Sequence, residues 1–127
     1  MRILPLNVGM RLFFEVIKYA EIIVMSPVVL GELYAGFEGG NKSAQNRIEL
    51  QQFMESSRVK VNLIGPDTAL FFSQIYSSLK RKGKPVPTND MWIAAQALEH
   101  GCVICTNDKH FKEIEGLIVV NSTADLS

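Results

Sequence analysis

Short β-branched and aliphatic runs alternate with longer amphipathic segments along this chain, and this alternation limits its possible folds more than any other feature. Strands are predicted at 2–4, 22–25, 59–64, 102–106 and 117–120. Helices are predicted at 12–20, 27–37, 44–57, 66–79, 90–100 and 109–114. Strands that alternate with helices predict a parallel sheet with helices on both faces. Functional residues in such folds lie beyond the carboxyl ends of the strands, which is where we expect the reactive groups.

Length and charge narrow the class of protein further. The chain has 127 residues, a formal net charge of zero and 47% hydrophobic residues. This length fits one domain, and the zero net charge argues against a generally basic nucleic-acid coat protein. Charged residues interrupt the first twenty positions and the apolar run at 22–30 is broken, so neither a signal peptide nor a membrane span is expected. We expect a cytoplasmic location.

Three acidic residues come after predicted strands. Glu32 lies in the helix after 22–25, Asp90 opens the helix at 90–100, and Asp108 follows the strand at 102–106. Two carboxylates 4 Å apart repel by about 4 kcal/mol at an effective dielectric of 20, so a converging cluster requires a proton or a cation. Oxygen ligands suit Mg²⁺ or Mn²⁺. In the alternative interpretation the acids act separately, at a helix start, in a turn and on a solvated helix face.

Three segments carry a resemblance to a known family. The segments are 26–33 (SPVVLGEL), 87–95 (PTNDMWIAA) and 106–111 (TNDKHF). In order and spacing they closely resemble the PIN-domain family, specifically the VapC-like toxin ribonucleases. The resemblance implies a single PIN-like domain over 1–127, built as a three-layer α/β/α sandwich around a central, mainly parallel sheet of four or five strands.

The same resemblance implies an activity and partners. It implies a Mg²⁺- or Mn²⁺-dependent endoribonuclease that hydrolyses RNA phosphodiesters as the toxin of a toxin–antitoxin pair. A small antitoxin protein encoded beside the toxin is the expected partner, and a homodimer is the expected assembly. The alternative is a catalytically impaired PIN-fold module that still binds an antitoxin or RNA.

The family pattern transfers to individual residues at most of its positions. Glu32, Asp90 and Asp108 match three of the four family acids and are the expected catalytic and metal-binding residues. Thr106 matches the hydroxyl residue before the last acid, and Asn7 is the only polar residue retained from the first motif, so both are expected to support the ligands. Pro5 stands where the first aspartate belongs, which predicts weak or absent cleavage by the chain as it is.

A basic segment precedes the helix that begins near Asp90. Its four cations are Lys80, Arg81, Lys82 and Lys84. They are candidates for binding RNA phosphates. A solvated helix end explains them equally well, because cations near the carboxyl end of a helix are favoured by its dipole. His110 is a weak candidate for a general base, because no nucleophile motif is near it. Trp92 is expected to pack beneath its helix rather than to stack on a base.

Overall fold

The computed structural model describes residues 2–5, 18 and 20–121. Its five strands are β1 (Arg2–Pro5), β2 (Ile22–Met25), β3 (Val59–Val61), β4 (Val103–Cys105) and β5 (Val119–Val120). They form one sheet in the order β3-β2-β1-β4-β5, and every neighbouring pair in it is parallel. The predicted parallel fold is therefore confirmed. Asn7 and the predicted helix at 12–20, apart from residues 18 and 20, lie outside the described residues.

In the described part of the chain, four helices and one short 3₁₀ helix connect β2 to β3, β3 to β4 and β4 to β5. They are α1 (Pro27–Glu38), α2 (Ser43–Met54), α3 (Pro66–Lys82), α4 (Thr88–His100) and a 3₁₀ helix (Lys109–Glu113). The Ser26 hydroxyl caps α1 by accepting the Val28 N–H at 3.1 Å. The start predicted for α4 is wrong, because the helix begins at Thr88 and no side chain caps it.

Helix α4 is the most buried helix and holds much of the core. Seven of its residues are buried, among them Asp90 near its start. Its carboxyl end is closed by Gly101, whose φ of 65° is a left-handed conformation that glycine adopts without steric cost. The thiols of Cys102 and Cys105 are free and buried, which is typical of structural cysteines. Within the described part of the chain, no helix is both long enough and apolar enough to cross a membrane.

The sheet order determines where a cleft can form. Strand β1 is central, and the chain leaves it toward β2 and β3 on one side but returns to β4 and β5 on the other. The connections therefore diverge at β1 and β4, and ligands of open α/β sheets bind outside the carboxyl ends of strands at such a point. Pro5 ends β1 there and pairs with Cys105, the last residue of β4.

Candidate metal centre

Asp90 is the buried acid of the candidate site. It lies in the first turn of α4 and is only 7% exposed. A carboxylate in the first helical turn is favoured by the helix dipole, but removal of water opposes its charge. The pKa of Asp90 is raised above its ordinary value, first by this burial and second by the nearby charge of Asp108. Hydrogen bonding and charge from His110 act in the opposite direction.

Asp108 is oriented by the turn that follows β4. Its carboxylate caps the 3₁₀ helix by accepting the His110 N–H at 2.9 Å. Its own backbone N–H donates to the hydroxyl of Thr106 at 3.0 Å, and Thr106 is buried. These two local hydrogen bonds determine the direction in which the Asp108 side chain leaves the end of the strand. Thr106 thus supports the Asp108 turn.

His110 joins the two aspartates. Its Nδ1 lies 3.1 Å from Asp108 Oδ1 and 3.4 Å from Asp90 Oδ2. One candidate ligand atom from each of the three residues falls within 4.8 Å of the others. The sequence interpretation considered His110 only as a general base and missed this grouping. The available signal was the Asp-Lys-His order directly after a strand, because a capping turn brings residues i and i+2 together.

Glu32 lies near Asp90 but is not one of the three residues whose ligand atoms cluster. It is an exposed residue of α1, a helix that packs against α4. The pKa of Glu32 is raised, chiefly by loss of hydration and secondarily by the charge of Asp90. Glu32 is therefore close enough to Asp90 for mutual repulsion, but the described cluster of ligand atoms contains Asp90, Asp108 and His110.

The electrostatics of the site fit a divalent cation. Asp90 and Asp108 present oxygen atoms to one space, and the repulsion between them contributes to the raised pKa of Asp90. A cation between the carboxylates would remove that repulsion and favour the ionised form of both. The two carboxylates therefore suit a divalent cation, for which carboxylate oxygen is a common ligand.

Pro5 occupies the position expected for a further acid. It is buried at the end of the central strand and pairs in register with Cys105, directly before Thr106. The end of β1 therefore meets the same edge of the sheet as the turn that carries Asp108. A proline side chain has no atom that can bind a cation. This strand end contributes no side-chain ligand to the site.

The basic segment divides into two parts. Lys82 Nζ donates to the carbonyl oxygen of Glu113 at 3.1 Å and lies 3.2 Å from the Glu115 carboxylate, so it ties the end of α3 to the segment after the 3₁₀ helix. Lys80 and Lys84 are exposed and line an open groove of about 430 Å³. The other residues that line the groove are Tyr76, Leu79, Gly83, Pro85, Val86 and Met91.

Trp92 packs within the protein. Its ring stacks on that of Phe72, with centroids 4.1 Å apart and an interplanar angle of 22°. This contact joins α4 to α3 and confirms the expectation that Trp92 packs beneath its helix.

Comparisons with known proteins agree with this fold. Residues 10–117 match the PIN domain family. The chain is 30% identical over 108 residues to ribonuclease VapC2 of Rickettsia felis, and the aligned region covers 84% of this chain and 79% of that protein. It is 33% identical over 99 residues to ribonuclease VapC1 of the same organism, covering 76% and 73%.

Solved structures give the same result for the fold. VapBC-1 from nontypeable Haemophilus influenzae is similar with a TM-score of 0.77 and 26% identity, covering 94% of this chain and 96% of that one. VapBC2 from Rickettsia felis, bound to a DNA fragment from its promoter, gives a TM-score of 0.75 at 24% identity, covering 95% and 98%.

Proposed function

The chain belongs to the PIN domain family, and from this membership we propose that it is the endoribonuclease toxin of a toxin–antitoxin pair and cleaves RNA with Mg²⁺ or Mn²⁺. The observation that carries the proposal is the convergence of Asp90 and Asp108 beyond the carboxyl edge of the sheet, with the pKa of Asp90 raised by burial and by Asp108. Its relatives are ribonucleases of the VapC type.

Asp90 and Asp108 would hold the cation. Asp90 offers a buried carboxylate from the first turn of α4, and Asp108 offers one from a turn supported by Thr106. When bound, the cation supplies the positive charge that polarises a phosphodiester and stabilises its developing negative charge. Because both carboxylates are held by local structure, little side-chain freedom is lost when they bind an ion.

Glu32 differs from the two aspartates in its exposure, and we give it a different role. It is more exposed than Asp90, and the raised pKa of its carboxyl group makes it a better proton acceptor than an ordinary surface glutamate. We assign it to orienting the attacking water or to completing the ligand set. Asn7, which lies outside the described residues, stays a candidate for supporting the ligands.

RNA is the proposed substrate, and the basic segment is its proposed binding surface. Lys80, Arg81 and Lys84 are exposed beside α4, the helix that carries Asp90. Their charges suit phosphates, and the Tyr76 side of the groove offers an aromatic ring that can face a base. Lys82 adds charge to the surface, while its contacts with Glu113 and Glu115 anchor the segment.

A small antitoxin and a second copy of the chain are the proposed partners. Solved relatives that share this fold are described as VapBC assemblies. The antitoxin proposal follows from them, and the homodimer follows from the family resemblance.

A second candidate function is favoured by Pro5. With a proline at the end of the central strand, the site has one side-chain ligand fewer than the family pattern. A weaker ion site predicts an impaired PIN-fold module that still binds an antitoxin or RNA. The two candidates share every contact described above and differ in whether the centre cleaves.

A cleavage assay distinguishes the two candidates. Purified chain, Asp90→Asn and Asp67→Asn are incubated with single-stranded RNA and Mn²⁺, and products are counted with time. Asp67 lies in the first turn of α3 and is the matched control for the loss of one carboxylate. The toxin proposal expects slow cleavage that Asp90→Asn reduces by at least about 10- to 100-fold, while Asp67→Asn cleaves like the unmodified chain.

The remaining outcomes oppose the toxin proposal. Absence of cleavage by the unmodified chain favours the impaired module, and cleavage that survives Asp90→Asn contradicts the assigned site.

A further inference from the structure

An imidazole nitrogen lies beside the two aspartates of the proposed metal centre. His110 Nδ1 is 3.1 Å from Asp108 Oδ1 and 3.4 Å from Asp90 Oδ2. The backbone at His110 is held in place because Asp108 accepts the His110 N–H, and because the next residue, Phe111, is fully buried. His110 therefore reaches the site from a turn that is fixed at both of its neighbours.

These distances match those between adjacent ligands of one ion. Ligand bonds of about 2.1 Å at right angles place neighbouring ligand atoms about 3.0 Å apart. The two separations from Nδ1 are close to that value. A single hydrogen on Nδ1 can point well toward only one of the two oxygens, whereas an ion between the three atoms satisfies all of them.

The end of β1 explains why a nitrogen ligand matters here. The proline at position 5 contributes no side-chain oxygen at the edge of the sheet where β1 and β4 end together. A centre with one carboxylate fewer and an imidazole in reach is less suited to Mg²⁺, which binds through hard oxygen ligands. Imidazole suits first-row transition ions, whose affinity for nitrogen rises from Mn²⁺ to Co²⁺ and beyond.

We propose that His110 Nδ1 is a ligand of the cation held by Asp90 and Asp108, and that this nitrogen makes the centre favour a first-row transition ion over Mg²⁺. The inference rests on the proposed metal-dependent function, because it assumes an ion at that centre. It assigns His110 to ion selectivity and does not require it to act on the substrate.

The test compares the binding of Co²⁺ and Mg²⁺ by calorimetry in four proteins. They are the unmodified chain, His110→Asp, His110→Ala and His100→Ala. In His110→Asp the Oδ1 atom is as many bonds from Cβ as Nδ1 is, so it places a hard oxygen where the nitrogen was. His100, at the other end of α4, is the matched control. The His110 side chain is half exposed, so its replacement leaves the core intact.

The unmodified chain is expected to bind Co²⁺ more tightly than Mg²⁺. His110→Asp should lower the ratio of Co²⁺ to Mg²⁺ affinity by about 10-fold or more, and His110→Ala should weaken Co²⁺ by a similar factor with a smaller effect on Mg²⁺. His100→Ala should keep the original ratio. An equal ratio in all four proteins overturns the assignment of His110 and leaves the proposed function standing. Absence of binding by either ion in the unmodified chain overturns both.

Discussion

Among single residues, Asp90 combines the burial of a core residue with a carboxylate that we propose binds the cation. Its pKa lies above the ordinary value of 3.8, so the folded chain holds this proton more tightly than the unfolded chain does. The unfavourable contribution of Asp90 to stability is absent at low pH and develops as pH rises through 3.8 toward the raised folded value. At pH values above the raised pKa of the folded chain, the ion-free protein carries the whole penalty.

Asp90→Asn should therefore raise the Tm of the ion-free protein at pH 7, and the gain should shrink toward pH 4. Thermal unfolding in the presence of a chelator measures both values. Asp67→Asn removes a carboxylate that the helix dipole favours, so it should give no such gain. A lower Tm for Asp90→Asn at pH 7 would show that the charge of Asp90 is satisfied within the protein.

Replacement of Pro5 by aspartate would supply the carboxylate that the end of β1 lacks. Pro5→Asp places a carboxylate at the end of β1, where the family pattern has one, and should give a clear gain in Mn²⁺ affinity and in RNA cleavage. Adding Asp90→Asn to it should abolish the gain, because both carboxylates would serve one ion. Pro66→Asp, an exposed proline in the first turn of α3, is the control for the added charge.

If Pro5→Asp brings no gain in Mn²⁺ affinity while Asp90→Asn still weakens ion binding, the missing carboxylate at position 5 is not what limits the affinity of the site. The backbone geometry at the end of β1 would then limit it.

Sequence reasoning reached part of this site. Asp108 lies just beyond β4 whereas Asp90 follows α3, so a strand end indicates Asp108 and the family motifs indicate both residues. These signals do not give side-chain direction, so the closeness of His110 and the looser position of Glu32 were missed. Both depend on hydrogen bonds in one turn and on how α1 packs against α4.

At the scale of elements, the basic segment at the end of α3 carries its own prediction. Lys80→Ala combined with Lys84→Ala should weaken binding to unrelated RNA sequences and reduce the slope of log affinity against log salt by up to about 2, near 1 for each lost phosphate contact. Fluorescence anisotropy with labelled RNA at several salt concentrations measures the slope. Lys42→Ala combined with Lys60→Ala removes the same charge from exposed positions elsewhere and should leave the slope unchanged.

An unchanged slope in the Lys80 and Lys84 variant would leave the segment with only its structural role. That role is visible in Lys82, which joins α3 to the segment after the 3₁₀ helix through Glu113 and Glu115.

Element boundaries show where sequence patterns lose accuracy. The alternating pattern predicted a strand over 59–64, but β3 ends at Val61 because its partner β2 ends opposite it at Met25. Strand β2 stops there since the next residue, Ser26, caps α1. Helix α4 begins before Asp90 because the Pro87 carbonyl oxygen accepts the Met91 N–H at 3.1 Å, so the residues between them already belong to the helix. Each difference arises from hydrogen bonds that the sequence pattern does not report.

At the scale of the whole molecule, the alternation of strands and helices was sufficient to predict a parallel sheet. The order of the strands was not readable from it, because periodicity reports which face of an element is buried and not which element lies beside it. The order β3-β2-β1-β4-β5 is what makes β1 and β4 neighbours. It thereby brings Pro5 and the Asp108 turn to one edge of the sheet.

A calorimetric titration with Mn²⁺ decides whether Asp90 and Asp108 hold a divalent cation. We expect one saturable binding event for the unmodified chain and for Asp67→Asn, and an affinity at least about 10-fold weaker for Asp90→Asn. Equal binding by the unmodified chain and Asp90→Asn, or no binding by the unmodified chain, would contradict this expectation.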